Sequence, residues 1–173
     1  ALGGCVLAGE GAVLLPHLQT LACIVSVAPA MAIDIAQDSN GCVLIQCGLL
    51  AATGGAHRTS DALAEVVGAF WDAGKIVSAV CHGPAGLLEA RDAAGKPIVG
   101  GRRVTGFSWR EEGLAERQEA VPFNLEERLE EAGADYSKAA LPFIEHVVED
   151  ERLITGQNPK SATAVAKAVL AHL

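Results

Sequence analysis

Residues 73–88, AGKIVSAVCHGPAGLL, decide the fold. Their centre is Ile76-Val77-Ser78-Ala79-Val80, a short run dominated by β-branched residues. Such a run fits a strand buried on both faces, as in a parallel sheet. Cys81-His82-Gly83-Pro84 breaks it, and residues 85–91 read as a helix. A buried strand that turns straight into a helix at a cysteine is the pattern of a nucleophile elbow. The carboxyl end of such a strand is where open α/β sheets place their ligands. The helix is expected to aim its free N–H groups at the thiol, which favours the thiolate. Gly83 allows close backbone approach, and Pro84 suits a first helical turn. The competing reading of Cys81 is a buried structural cysteine; the Cys-His-Gly-Pro context argues against it.

Outward from the elbow, helical and extended patterns alternate. Ser60 and Asp61 suit a helix start. Leu63, Val66, Val67, Phe70 and Trp71 share one helical face, and Gly74 supplies a left-handed stop. Residues 98–101 and 103–107 read as strands around Gly100-Gly101. The second of these is expected to run parallel beside residues 76–80. Asn124 with Glu127 resembles a capping box for a helix over 125–132, stopped by Gly133. Residues 146–148 and 152–155 read as a hairpin around Glu149-Asp150-Glu151. Asn158 with Pro159 opens the last helix. Upstream, residues 23–27 and 41–46 read as strands. Strands alternating with helices imply an α/β sandwich on a mostly parallel sheet.

Composition narrows the class. The 173 residues fit one domain, residues 1–173, and half of them are apolar. A mean hydropathy of +0.30 allows a sizeable core and excludes disorder. Thirteen basic against 21 acidic residues give a formal charge of -8. An acidic chain without a basic cluster is a poor ligand for nucleic acid or an anionic membrane. The longest uncharged stretch, residues 11–33, contains Pro16, His17, Gln19 and Pro29 and makes a poor membrane helix. No Lys or Arg precedes Arg58, so a signal-peptide flank is missing and a soluble, cytoplasmic protein is expected. The five cysteines form no CxxC pair and no zinc-type spacing, so no metal is expected. All but Cys81 read as small buried hydrophobes.

Residues 1–60 differ from the rest: they hold four of the 34 charges, four of the five cysteines and none of the seven aromatics.

Four blocks carry a resemblance: AGKIVSAVCHGPAGLL (73–88), GGRRVTGFSWREE (100–112), VPFNLEERLEEAGADY (121–136) and ERLITGQNPKSATAVAKAVL (151–170). Their order and spacing resemble the ThiJ/PfpI superfamily of class I glutamine amidotransferase-like proteins, in its glyoxalase III and heat-shock chaperone branch. The resemblance spans residues 61–173. It implies a flavodoxin-like three-layer sandwich, usually homodimeric, acting without cofactor on methylglyoxal and related 2-oxoaldehydes. Some members are credited with deglycase or holdase activity. The family's nucleophile matches Cys81 and its adjacent histidine matches His82. The acid that orients this histidine matches Glu112, with Glu111 as its neighbour. Of these two consecutive acids one is expected to point inward and the other to be solvated; two solvated charges is the alternative. Gly83 belongs to the turn, and Ser108 and Trp109 are expected to line or cover the site, though Trp109 could equally be a core aromatic.

Two family features depart from pattern upstream. A proton-shuttling glutamate followed by Pro has its nearest counterpart in Glu10 and Pro16, displaced in spacing. A Gly-Gly-His-Gly oxyanion turn is represented by Gly54-Gly55-Ala56-His57, with Gly55 the candidate N–H donor. Leu50-Ala51-Ala52-Thr53-Gly54 is encoded by a leucine codon and GCN GCN ACN GGN. Read from the third base with GC-rich third positions, these bases spell Gly-Gly-His-Gly. Residues 1–60 therefore read as a truncated or frame-displaced piece, restored just before Asp61, with ordinary divergence as the alternative.

The function expected from these residues is a glutathione-independent glyoxalase or deglycase acting on a small aldehyde. The alternatives are a Cys amidase or peptidase with the same dyad, and a holdase or redox sensor built on Cys81.

Overall fold

The computed structural model describes the backbone of residues 21–28, 31–37 and 43–49, and residues 61–172 with side chains from Leu63 onward. Among these, a six-stranded sheet has the order β1 (Leu21–Ala28), β2 (Met31–Gln37), β3 (Val43–Leu49), β4 (Val77–Cys81), β8 (Leu153–Gly156), β7 (Val147–Asp150). The centre is parallel: β4 pairs with β3 on one side and β8 on the other. The flanking pairs β1–β2, β2–β3 and β7–β8 are antiparallel. The sheet is thus mixed, and its parallel part is the part that carries Cys81.

The run at 76–80 behaves as its composition demands. Val77 and Ala79 pack into one core with Leu63, Val67 and Trp71 of α1 (Asp61–Asp72) and Leu125 and Leu129 of α3 (Leu125–Glu131). Val80 joins Ile76, Ile154 and Val165 in a second core on the opposite face, under α4 (Ala162–Ala171). Alternation of side chains across a strand produces this split, so β4 is sandwiched between two helical layers. Gly156 lets α4 come close: a Cβ there would meet Val165 Cγ2 at 2.7 Å and Ser161 Cβ at 2.9 Å.

Local signals place several boundaries. Gly74 ends α1 at φ 74°. Asn124 Oδ1 accepts from the Glu127 amide at the start of α3, and Gly133 follows its end at φ 86°. The hairpin forms around Glu151, itself at φ 53°. Asn158 caps a 3-10 turn, Pro159–Ser161, which leads into α4.

Four expectations are corrected. The segment after the elbow is a 3-10 turn, Gly83–Leu87, not a helix over 85–91. It is buried throughout, with Gly86 in its interior, so neither propensity nor a one-sided apolar stripe sustains an α-helix. Residues 98–101 form a turn instead of a strand; the isolated bridge Arg91–Pro97 closes the loop before it. The strand over 103–107 shrinks to β5 (Arg103–Val104), which pairs with β6 (Asp135–Tyr136), not with β4. The positions beside β4 are already taken by β3 and β8. The strand β2 was not read from the sequence. No helix among the described residues is long and apolar enough to cross a membrane.

Candidate active site

β4 ends at Cys81, and Cys81 has φ 63°. A non-glycine residue in this left-handed region costs about 1–3 kcal/mol and persists only where its surroundings impose it. Here the constraint is visible on both sides. The Phe107 amide donates to the Cys81 carbonyl at 2.8 Å, and the Ala85 amide donates to the His82 carbonyl at 3.0 Å. Gly106 lies under this contact, where a Cβ would come within 3.5 Å of the Cys81 carbonyl oxygen and 3.4 Å of Pro84 Cγ. The thiol is only partly buried, whereas His82 is 8% exposed.

The His82 ring joins two partners. Its Nδ1 lies 3.3 Å from Cys81 Sγ. Its Nε2–H donates to Glu112 Oε1 in a buried ion pair. Phe107 packs on the same ring with centroids 4.6 Å apart. Burial opposes charge on the imidazole, but the bonds from Cys81 and Glu112 outweigh it and push the group up to about 9. At neutral pH the ring is therefore a cation between a sulfur and a carboxylate. Among the described residues the sulfur's hydrogen-bond neighbour is His82, and Glu112 is linked to it through the ring. Glu112 Oε2 is buried without a hydrogen-bond partner among the described residues.

Glu112 is delivered by α2 (Trp109–Leu114), which Ser108 caps. The expectation that one of Glu111 and Glu112 is solvated is corrected: both are buried, at 0% and 4% exposure. Successive helical residues diverge by about 100°, so both can point inward toward different partners. Glu112 faces His82. Glu111, third in the helix, folds back on the Ser108 amide and hydroxyl in a capping box. Ser108-x-x-Glu111 is the sequence signature of that box, and it was readable in the chain. The Ser108 hydroxyl is thus committed to Glu111. Trp109 is half-buried, and its amide donates to Glu126 Oε2 at 3.1 Å. Gly83 is buried at the start of the 3-10 turn. Glu10 and Gly55 lie outside the described residues.

The aromatic and polar surroundings were also missed. Phe143 packs on Phe107 with centroids 6.1 Å apart, extending the stack that begins on His82. The 3-10 turn is too short to supply the helix amino end expected behind the thiol. The positive charge beside Cys81 comes from His82 instead. Among the described residues no cluster of three or more His, Cys, Asp or Glu could hold a metal ion.

The sequence profile of the DJ-1/PfpI family matches residues 22–172. The chain belongs to the DJ-1/PfpI family. Its fold is the family's flavodoxin-like α/β sandwich. It is 40% identical over 107 residues to a probable glutathione-independent glyoxalase, hsp3103, of Schizosaccharomyces pombe, covering 58% of this chain and 41% of that protein. Glyoxalase 3 of Candida albicans is 32% identical over 63% of this chain and 48% of its own length. The crystal structure of glyoxalase III from Candida albicans superposes with a TM-score of 0.57 at 32% identity, covering 62% of this chain and 47% of that chain. The rapid encystment protein of Francisella tularensis superposes at 0.61 with 39% identity, covering 64% and 48%. The chain thus spans less than half the length of each of these relatives.

Proposed function

We propose that this protein is a cofactor-independent glyoxalase that converts methylglyoxal and related 2-oxoaldehydes to 2-hydroxy acids through Cys81. The observation that carries the reading is the line Cys81 Sγ, His82, Glu112, with the sulfur 3.3 Å from one ring nitrogen and a carboxylate on the other. Relatives that bear the glyoxalase name support it.

In this reading the sulfur adds to the aldehyde carbon, and the new oxyanion takes a proton to give a hemithioacetal. Loss of the proton on that carbon and reprotonation of the neighbouring carbon turn it into a thioester of a 2-hydroxy acid. Water then cleaves the thioester and restores the thiol. The former aldehyde carbon is oxidised and the ketone carbon reduced, so no external redox partner is required. Net, one water is consumed. His82 donates and accepts the protons, and Glu112 holds its ring and stabilises the cation. From the sequence, Glu10 is assigned the proton transfer between the two carbons, and the N–H groups of His82 and Gly55 the oxyanion. Left-handed Cys81 followed by His82 at φ −85°, ψ −6° is the alternation that turns successive backbone N–H groups toward one anion.

Lactate production from methylglyoxal without glutathione tests the reading. Cys81→Ser is expected to lower turnover on the order of 10³-fold or more while leaving the circular dichroism spectrum unchanged, since serine does not ionise at neutral pH. Retained turnover would remove Cys81 from the mechanism. An inactive native protein would favour the amidase or holdase alternatives.

A further inference from the structure

Glu111 is a buried carboxylate that the proposed reaction does not use. It has 0% exposure and no cationic partner among the described residues, yet it accepts five hydrogen bonds. Oε2 accepts from the Ser108 amide at 3.0 Å, the Ser108 hydroxyl at 2.8 Å and Gln157 Nε2 at 2.9 Å. Oε1 accepts from the Phe143 amide at 2.7 Å and Asn158 Nδ2 at 2.9 Å. Such a set demands an ionised group, because a protonated carboxyl would set a donor against a donor.

These donors come from three separate segments: the α2 cap, the loop after β8, and the irregular strap of residues 137–146. The strap has no regular structure of its own. Side chains hold it from beneath. Gln157 Oε1 accepts from the Ala139 amide at 2.8 Å, and Asn158 Nδ2 also donates to the Ile144 carbonyl at 2.7 Å. Both of these side chains are themselves oriented by Glu111. The middle of the strap is Phe143, at φ 56°, whose ring packs on Phe107, which packs on His82.

We infer that Glu111 is a positioning residue: it anchors the strap, and the strap, through Phe143 and Phe107, fixes the ring of His82 beside Cys81. The inference deepens the catalytic reading above and rests on it for the turnover readout. It also makes a substrate-independent claim about the environment of the Cys81 thiol. Glu111 and Glu112 thus divide the work: one carboxylate touches the histidine, and its neighbour holds the wall against which that histidine leans.

The test is a double-mutant cycle between Glu111→Gln and Phe143→Ala. A glutamine at 111 turns one acceptor into a donor that faces donors, releasing the strap. Phe143→Ala keeps the amide bonded to Glu111 and removes only the ring. Two readouts are taken from each purified, folded variant. One is kcat and KM with methylglyoxal. The other is the rate at which iodoacetamide alkylates Cys81, followed by peptide mass spectrometry.

Each single change is expected to lower kcat about tenfold with KM within about twofold, and to change the Cys81 alkylation rate by at least about threefold. The double variant is expected to be no worse than the worse single one, because both act along one path. Effects that multiply, or an unchanged kcat and alkylation rate in either folded variant, overturn the inference. If Glu111→Gln does not fold, Gln157→Met replaces it in the cycle, since it keeps the side-chain volume and removes both the bond to the Ala139 amide of the strap and the bond to Glu111. If no form of the protein turns over 2-oxoaldehydes, the catalytic reading fails. The alkylation rates alone then decide the positioning role: coupled changes support it, and unchanged rates overturn it.

Discussion

At the residue scale, the decisive contact is the one between His82 and Glu112. A histidine next to Cys81 in the chain cannot swing away, because the elbow holds both backbones. Its ring still needs a partner to set its tautomer, and Glu112 Oε1 supplies one across 30 positions of sequence. Glu112→Gln preserves shape and removes the charge that sustains the imidazolium. We expect turnover to fall about 10²-fold, the lower end of general acid–base assistance, and stability near neutral pH to fall by no more than the share that His82 draws from this ion pair. Glu111→Gln is expected to show the reverse emphasis: a larger fall in melting temperature and a smaller loss of kcat. Thermal melts and steady-state kinetics on the two variants check this. If Glu111→Gln were the more damaging to kcat, the assignment of the orienting acid to Glu112 would be wrong.

At the element scale, Trp71 joins the end of α1 to two segments beyond the core that Leu63 and Val67 share with β4. Trp71 is 5% exposed and sits between two guanidinium groups, with Arg102 4.4 Å and Arg152 4.2 Å from the ring centroid. Arg152 also donates to the Trp71 carbonyl at 2.8 Å and the Lys75 carbonyl at 3.1 Å, closing the end of the helix just before β4. The tryptophan therefore joins α1, the turn before β5 and the β7–β8 hairpin. Trp71→Ala removes a buried indole and leaves two cations without their aromatic faces. A loss of about 3–5 kcal/mol is expected in urea unfolding. A loss below about 1 kcal/mol would show that the sandwich is ornamental to stability.

At the scale of the whole molecule, two buried groups shape the dependence of stability on pH. Glu111 is opposed by burial, but its bonds from Ser108, Gln157 and Phe143 hold the carboxyl below its usual value of 4.5. The stability it contributes is present above that value and is lost as pH falls through the lowered one. His82 is displaced the other way, from 6.5 to about 9. Its contribution is complete below 6.5 and disappears as pH rises through about 9, amounting to at most about 3 kcal/mol. Stability is thus expected to be greatest between pH 4.5 and 6.5 and to fall on both sides. Denaturation midpoints across pH 3–10 check this; in Glu112→Gln the decline on the alkaline side is expected to flatten. A further expectation concerns the chain as encoded. We propose that the reading frame is displaced within residues 1–60 and restored just before Asp61. Resequencing the gene through codons 1–60 is expected to find a pair of compensating insertions or deletions, and an uninterrupted frame overturns the proposal.

The sequence by itself determined the features that depend on near neighbours. The β-branched run before Cys81 became β4, the apolar spacing after Ser60 became α1, and Gly74, Asn124 and Gly133 marked helix ends. The pairing of Cys81 with His82 was legible because the two are adjacent, and Glu112 because four family-like blocks kept their spacing. Tertiary structure alone decided that β5 pairs with β6, that the turn after the elbow is 3-10, and that Glu111 is buried. Strand partners depend on which sheet positions are vacant, and β3 and β8 occupy both sides of β4. A buried carboxylate depends on donors that periodicity does not display: those at Phe143, Gln157 and Asn158 lie 32, 46 and 47 positions away from Glu111. Spacing along the chain registers contacts within a turn or two; satisfaction of a buried charge is a property of the assembled fold.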